Sequence, residues 1–446
     1  MNKKLLAVAV AGALAAPGLA LAQAANVQIY GWMDNAALNL RYSSNSAGTV
    51  GGFSKYDVFN ASPSRLGFRG TEDLGNGLKA WFQAEMTIFS EGRVPESTNP
   101  AGLLGARNSA VGLEGRWGNV LLGIWDAPYK VANIQTWVRG GSGPMYHGGM
   151  IMANGDTTGA APNAQCAAAV SPATGLGTAA GSTNALGVVC PNQVEGSGGS
   201  FHRRMSNTIQ YWSPVWSGFQ AKIATQINEG KTPGSLNAAG TNNNTQPSLW
   251  SYSLTWANGP WNAGAAYEQH KGYNGNTASM DPNTKDSAWM LGGGWNFGPG
   301  TIAGGWERLR YGDNSALGGV TANGFTRTNW VLNGTFKIGA AGMIWAGYSK
   351  TPGGRSCGGG ATGGVGYVVG AAAVCGSNSA ASHTTLGYDH SMSKRTTLYA
   401  VYGRINNSAG TSYYYIAAPN GPNGVSSVLT PGTDVTTLGV GVRHTF

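Results

Sequence analysis

WSYSLTWANGPWNAGAAYE (250–268) decides the fold. Trp250, Tyr252, Leu254 and Trp256 share one parity, and Ser251, Ser253 and Thr255 share the other. Period two puts the two sets on opposite faces of a strand. Asn258-Gly259-Pro260 makes a tight turn, after which Trp261, Ala263, Ala265 and Tyr267 alternate with Asn262, Gly264 and Glu268. The stretch reads as a β-hairpin with one aromatic, apolar face and one face of small and polar side chains.

The same device recurs in both directions. Trp289, Leu291, Gly293, Trp295 and Phe297 alternate, and Gly298-Pro299-Gly300 closes that run. Leu386 and Tyr388 precede a turn at Ser391–Lys394, and Leu398, Ala400 and Tyr402 share a face after it. Short turns fall near Glu72–Gly77, Gly115–Asn119, Ser213–Gly218, Asn258–Pro260, Gly298–Gly300, Lys337–Ala340 and Ser391–Arg395. Between the strand pairs lie eight longer segments rich in Gly, Asn, Ser and Ala. Seven short turns and eight long loops predict sixteen strands. Each is about ten residues, enough to cross a bilayer when tilted. The fold expected is an all-β, 16-stranded antiparallel transmembrane β-barrel with short periplasmic turns and long extracellular loops. A soluble sandwich is the alternative; it would need a second sheet over each apolar face and has no reason to put Trp and Tyr at strand ends. The chain ends on LGVGVRHTF (438–446), with Leu438, Val440, Val442, His444 and Phe446 opposite Gly439, Gly441, Arg443 and Thr445. This last strand must pair with the first, because an open edge cannot persist in lipid. The first strand is expected over VQIYGWMD (27–34), although its alternation is irregular.

Composition agrees. The 446 residues include 72 glycines, 15 tryptophans and 18 tyrosines, and charged residues make up 11%. That is less than half of the roughly 25% usual in soluble domains. Disorder driven by charge is excluded, and so is collagen, which needs periodic glycine. The N-terminus has the parts of a secretory signal peptide: basic Asn2-Lys3-Lys4, apolar Leu5–Leu14, helix-breaking Pro17-Gly18 and a small-x-small site at Ala20-Leu21-Ala22. Residues 1–22 are expected to be cleaved, leaving 23–446 as a single barrel domain; the apolar run is short for a membrane anchor. Without Lys3 and Lys4 the chain keeps 26 basic against 19 acidic residues, a net of +7. Four cysteines follow, Cys166, Cys190, Cys357 and Cys375. In an exported chain pairing is the default, and neighbour pairing, Cys166–Cys190 and Cys357–Cys375, is the connectivity favoured of the three possible. Zinc is the competing use, but there is no C-x-x-C and no histidine cluster near them.

Five blocks carry a family resemblance: VQIYGWMD (27–34), SRLGFRGTEDLGNGLKAWFQAE (64–85), RNSAVGLEGRWGNVLLG (107–123), RRMSNTIQYWSPVWSGFQ (203–220) and LGVGVRHTF (438–446). Together they resemble the Gram-negative general porins of the β-proteobacterial type, and the second block is the most specific. The resemblance implies a homotrimer, passive diffusion of small solutes and ions, and a third loop folded inward to narrow the pore. It also implies that the terminal aromatic, Phe446, is the signal read by the barrel-assembly machinery. Two departures stand out. After LLG (121–123) the family continues with Arg-Gln, whereas this chain has Ile124-Trp125, so one pore-wall arginine is missing. The third loop, about 126–202, is unusually long and contains Cys166 and Cys190.

Selectivity comes from the width of a pore and the charges at its narrowest ring. Arg65 and Arg69 share parity with Gly67, opposite Leu66 and Phe68, so they face the lumen if the latter face lipid. By resemblance, Arg65, Arg107 and Arg204 line the constriction in anion-preferring members. Lys79 and Glu85 share the inward parity with Trp81 and Gln83, as Lys222 and Gln226 do further on. Opposing acids are sought in the third loop at Asp126, Asp156 and Glu195. A carboxylate facing guanidinium groups sets up a transverse field that filters dipolar solutes. The competing use of exposed basic residues is to bind lipopolysaccharide phosphates or to snorkel at strand ends.

The expected function is a general-diffusion, anion-preferring porin in the outer membrane, surrounded by lipopolysaccharide and outer-membrane lipid. A substrate-specific channel for a sugar or aromatic acid is the alternative, and a plugged structural or adhesin barrel a remote one. An enzyme is not expected: the six histidines are dispersed, and there is no H-E-x-x-H metal motif. No cofactor or metal is called for, and nucleic acid is not an expected partner.

Overall fold

The computed structural model describes residues 27–44, 51–60, 64–88, 90, 104–105, 107–134, 201, 204–227, 248–271, 285–310, 326–353, 368–369, 372–373, 380–409 and 432–446. The wall begins with β1 (Gln28–Tyr42), β2 (Phe53–Asn60), β3 (Arg65–Gly75), β4 (Leu78–Thr87), β5 (Ser109–Gly115) and β6 (Gly118–Asp126). A short helix, α1 (Pro128–Ile134), follows. Then come β7 (Arg204–Trp212), β8 (Phe219–Gln226), β9 (Ser248–Asn258), β10 (Trp261–Lys271), β11 (Lys285–Asn296), β12 (Gly300–Arg310), β13 (Thr326–Ile338) and β14 (Gly342–Thr351). A two-residue hairpin, β15 (Val368–Val369) and β16 (Ala372–Ala373), precedes β17 (Ala381–Ser391), β18 (Thr396–Asn407) and β19 (Val435–Thr445).

Seventeen strands form one antiparallel sheet, and β1 pairs with β19, which closes it. β2 lies beside residues 35–42 of β1 and β3 beside residues 28–32, so those two strands are one stave interrupted between them. The wall is therefore a closed barrel of sixteen staves, as the turn-and-loop rhythm predicts. At the seam Trp32 stands opposite Thr445 and Tyr42 opposite Val435, and the Phe446 N–H donates to the Gly31 carbonyl at 3.1 Å. A Cβ at Gly31 would sit 2.1 Å from the Arg65 carbonyl oxygen and 2.8 Å from the Phe446 ring, so only glycine lets the two ends of the chain meet here.

Each predicted short turn is present. A two-residue turn joins β3 to β4 through Asn76 and Gly77, both at positive φ (54° and 76°), the conformation that Gly and Asn tolerate best. Period two then assigns the faces. On β9, Trp250, Tyr252 and Leu254 are exposed outward, whereas Leu249, Ser251 and Ser253 are buried inward. Outward Trp261, Trp289, Trp295, Trp306, Trp330 and Phe336 continue an apolar and aromatic belt around the wall. No helix among the described residues is long and apolar enough to span a membrane; the strands span instead.

β1 runs beyond the expected VQIYGWMD, to Tyr42. Its alternation is irregular for a physical reason. In its second half the inward residues Leu38, Leu40 and Tyr42 are apolar and almost fully buried, and Tyr42 stacks on Phe53 with centroids 4.4 Å apart. Here the greasy parity points into the barrel, which blurs the pattern of apolar out and polar in.

α1 lies inside the barrel against β8 to β11. Tyr129 and Ala132 from the helix, with Phe201, form a fully buried cluster on Ala288, Met290 and Leu309 of the inner wall. The Tyr129 N–H donates to Ser251 Oγ at 3.0 Å, and its hydroxyl donates to Glu307 Oε2 at 2.9 Å. Glu307 also accepts from Asn329 Nδ2 at 2.6 Å, so the anchor is tied across β12 and β13. The third loop thus begins by folding inward. Asp156, Glu195, all four cysteines and the signal segment 1–22 lie outside the described residues.

Candidate functional site: the charged inner wall

Two carboxylates organise the arginines. Glu85, near the end of β4, accepts from Arg107 Nε at 2.6 Å and lies 3.4 Å from Arg65 Nη1. Its second oxygen accepts from the Tyr30 hydroxyl at 3.1 Å. Arg107 also donates to Thr87 Oγ1 at 3.3 Å. Asp126, at the end of β6, lies 3.3 Å from Arg204 Nε and 3.2 Å from Lys130 Nζ one helical turn on. Asn108, the residue after Arg107, ties the Asp126 group to Gln83 on β4. Its amide donates to Asp126 Oδ2 at 2.9 Å, its side-chain oxygen accepts from Arg204 at 2.8 Å, and its carbonyl accepts from Gln83 at 2.8 Å. Each carboxylate thus answers two cations, and each group is left with one net positive charge.

These side chains meet because strand parity and strand order bring them together. Arg65 and Glu85 lie on paired strands, with Arg65 opposite Thr87 and Gly67 opposite Glu85. Arg204 stands directly opposite Asp126 across the β6–β7 ladder. A register shift between Gly123 and Trp125, beside Asn207 at φ 43°, re-aims this end of the pair.

Further along the same wall the arginines lie on aromatic faces. The Arg65 guanidinium is 3.8 Å from the Trp32 ring centre, and Arg443 is 4.7 Å from the same ring. Arg69 lies 5.1 Å over Tyr30, with its Nε donating to Gln28 at 3.1 Å. Such stacking holds a guanidinium without neutralising it. Where the family pattern has Arg-Gln, Trp125 stands between Trp81 and Trp212, at centroid distances of 5.5 and 5.6 Å. Lys222 lies 4.2 Å over Trp212.

Of the residues singled out from sequence, Arg65, Arg107, Arg204, Glu85 and Asp126 are therefore brought together. Arg69 lies two inward positions from Arg65, with Gly67 between them. Lys79 stands apart: it pairs with Asp73 and Glu114 beside the β3–β4 turn, and is exposed. Six residues of strand separate it from Glu85, roughly 20 Å. Parity fixed its face but not its height along the wall. Tyr30, Trp32, Asn108, Lys130 and Arg443 are members that sequence reasoning did not assign to the site. Lys130 had a legible signal, since i and i+4 face each other on a helix; Trp32 and Tyr30 had only their shared parity with Asp34.

No metal-binding group occurs among the described residues. GRSCG (354–358) has the form of a nucleophile elbow, which needs a strand-to-helix turn; it falls outside the described residues, between β14 and β17.

Comparisons with known proteins place the chain. A family profile described as Gram-negative porin matches residues 7–410. Outer membrane porin protein 32 of Delftia acidovorans is 28% identical over 451 residues, covering 100% of both chains. An outer membrane porin protein of Bordetella pertussis is 25% identical and covers 88% of this chain and 85% of its own. Among solved structures, an anion-selective porin from Comamonas acidovorans superposes with a TM-score of 0.60 at 22% identity, covering 95% of this chain and 100% of that one. The trimer form of OmpT from Vibrio cholerae gives 0.52 at 12% identity, covering 95% and 100%. The barrel, its closure and the extent of the match leave one assignment: the chain belongs to the Gram-negative porin family, whose members are channels of the outer membrane and not enzymes.

Proposed function

We propose that the inner-wall cluster of Arg65, Arg107 and Arg204 with Glu85 and Asp126 is the selectivity region of a general-diffusion porin, and that it favours anions. The carrying observation is the charge balance: two carboxylates face four cations within 3.4 Å, so the region keeps net positive charge. A low-dielectric wall concentrates that field on a permeating ion. The anion selectivity of the Comamonas porin supports the same sign. Small hydrophilic solutes and ions are the cargo, crossing passively. Arg69 extends the positive strip, and Lys79 belongs to the periplasmic mouth. We further infer a homotrimer, supported by the trimeric form of OmpT. Phe446, bound to Gly31 at the seam, suits a terminal signal for barrel assembly. Residues 1–22 act as the export signal, and the cysteine pairs as loop staples.

The test is the reversal potential of the reconstituted protein in a planar bilayer under a potassium chloride gradient. A value favouring chloride, moving toward zero in Arg65→Gln and Arg107→Gln, is the expected result. A cation preference, or no conductance from folded protein, would overturn the reading.

A second reading has its own observation. Trp81, Trp125 and Trp212, with Lys222 over the last, make an aromatic and cationic patch beside the arginines. An aromatic carboxylate would stack there and pair with a guanidinium. Concentration-dependent block of chloride current by benzoate, absent in Trp125→Gln, would favour a substrate-specific channel.

A further inference from the structure

We propose that Trp32 is a positioning residue for anion selectivity: its ring, held between Arg65 and Arg443, keeps the Arg65 guanidinium from closing on Glu85 and leaves its charge to the pore. The inference rests on the reading of the arginine cluster as the selectivity region, and it makes that region depend on the seam of the barrel.

Trp32 is unlike the tryptophans of the outer belt. Trp261 and Trp289 point outward and are exposed, whereas Trp32 shares the inward parity of Tyr30 and Asp34. Its strand, β1, has β3 on one edge and β19 on the other. Across the first edge Trp32 stands directly opposite Arg65. Across the second, Asp34, the next inward residue, stands opposite Arg443. The two guanidinium groups therefore reach the ring from opposite sides of the strand, 3.8 and 4.7 Å from its centre. The ring's own polar atom does not explain this placement. Trp32 Nε1 is buried and has no hydrogen-bond partner among the described residues. A buried donor left unmet is costly, so the ring is held by what lies on its faces.

The surroundings of Glu85 show what the ring does. Glu85 Oε1 accepts from Arg107 at 2.6 Å, and Oε2 accepts from the Tyr30 hydroxyl at 3.1 Å. Arg65 Nη1 comes only to 3.4 Å of Oε1. A guanidinium free to turn would seek a two-point contact with that carboxylate, the strongest pairing open to it. It would then displace Arg107 or Tyr30 and have its charge cancelled. An aromatic face competes with that contact by attracting the cation without neutralising it. Arg443, brought by the last strand, backs the ring on its other side, so the ring stays against Arg65. The positive charge of Arg65 at the inner wall thus depends on β1 having closed on β19.

The test compares reversal potentials of the full chain and its variants in a planar bilayer under a potassium chloride gradient. Trp32→Leu, which removes the ring face, should lower the chloride-to-potassium permeability ratio at least twofold. Trp32→Phe, which keeps a face and drops the unmet N–H, should recover most of that loss. The deciding comparison is made in the Glu85→Gln background. With no carboxylate to close on, Arg65 does not need the ring, so Trp32→Leu should change the ratio little there. A merely structural effect of the leucine would lower the ratio equally in both backgrounds, and that result would overturn the proposal. So would an unchanged ratio in Trp32→Leu, or a Trp32→Phe variant no better than Trp32→Leu. If Trp32→Leu fails to show the heat-dependent gel shift of a folded barrel, Trp32→Met, which refills the volume without a ring, takes its place with the same expectations. A wild type without chloride preference would overturn the selectivity reading and this inference together. A chloride-preferring wild type with an indifferent Trp32→Leu would overturn this inference alone.

Discussion

Arg107 Nε lies 2.6 Å from Glu85 Oε1, and the same oxygen is 3.4 Å from Arg65. One carboxylate holds two guanidinium groups side by side on the inner wall. Their mutual repulsion is tolerated because the acid sits between them. Each partner therefore shapes both stability and field, and the two effects separate by mutation.

Glu85→Gln should raise the chloride preference, because two arginines would then act without their acid. It should also lower thermal stability, on the order of 1–3 kcal/mol, since like charges would be left adjacent and part-buried. Reversal potential and heat-modifiability on gels check the two halves; a fall in chloride preference would refute the charge balance proposed for this cluster.

Asp126→Asn removes the acid that Arg204 and Lys130 share. Chloride preference should rise again. The start of the third loop, which Lys130 ties to the wall, should loosen, and open-channel current noise should increase. A quiet channel with unchanged selectivity would show that Asp126 serves neither purpose.

Tyr129→Phe deletes the 2.9 Å hydrogen bond to Glu307 while keeping the ring packed among Phe201, Met290 and Leu309. A bond to a charged group is worth about 1.5–3 kcal/mol. The voltage at which the channel closes should fall, with little change in single-channel conductance. Tyr129→Ala, which also empties the cluster, should do more.

Gly31→Val would place a side chain where only 2.1 Å separates a Cβ position from the Arg65 carbonyl and where the Phe446 ring closes the seam. Folding yield in vitro should fall steeply. Gly259→Ala, at φ 56° with open space around it, should cost only the strain of that backbone, about 1 kcal/mol. Comparable yields for the two variants would mean that the seam is not the sensitive step.

The sequence determined the staves. Trp250 to Leu254 alternate so cleanly that their faces follow from period two, and Asn76-Gly77 or Asn258-Gly259 can only turn. The inward parity of Arg65, Arg69, Glu85 and Arg443 was legible for the same reason. What parity cannot supply is height and neighbour. Lys79 shares Glu85's face yet stands roughly 20 Å away along the strand, and Trp32 receives Arg65 and Arg443 from opposite ends of the chain only because β1 closes on β19. The grouping of Arg204 with Asp126 depended on the β6–β7 register and its irregularity, and the seating of Tyr129 under Glu307 on the third loop turning into the barrel. Local chemistry fixes which way a side chain points, because the pleat has a period of two residues. Which charges meet is fixed by strand order, shear and closure, and those exist only once sixteen staves have been joined into a ring.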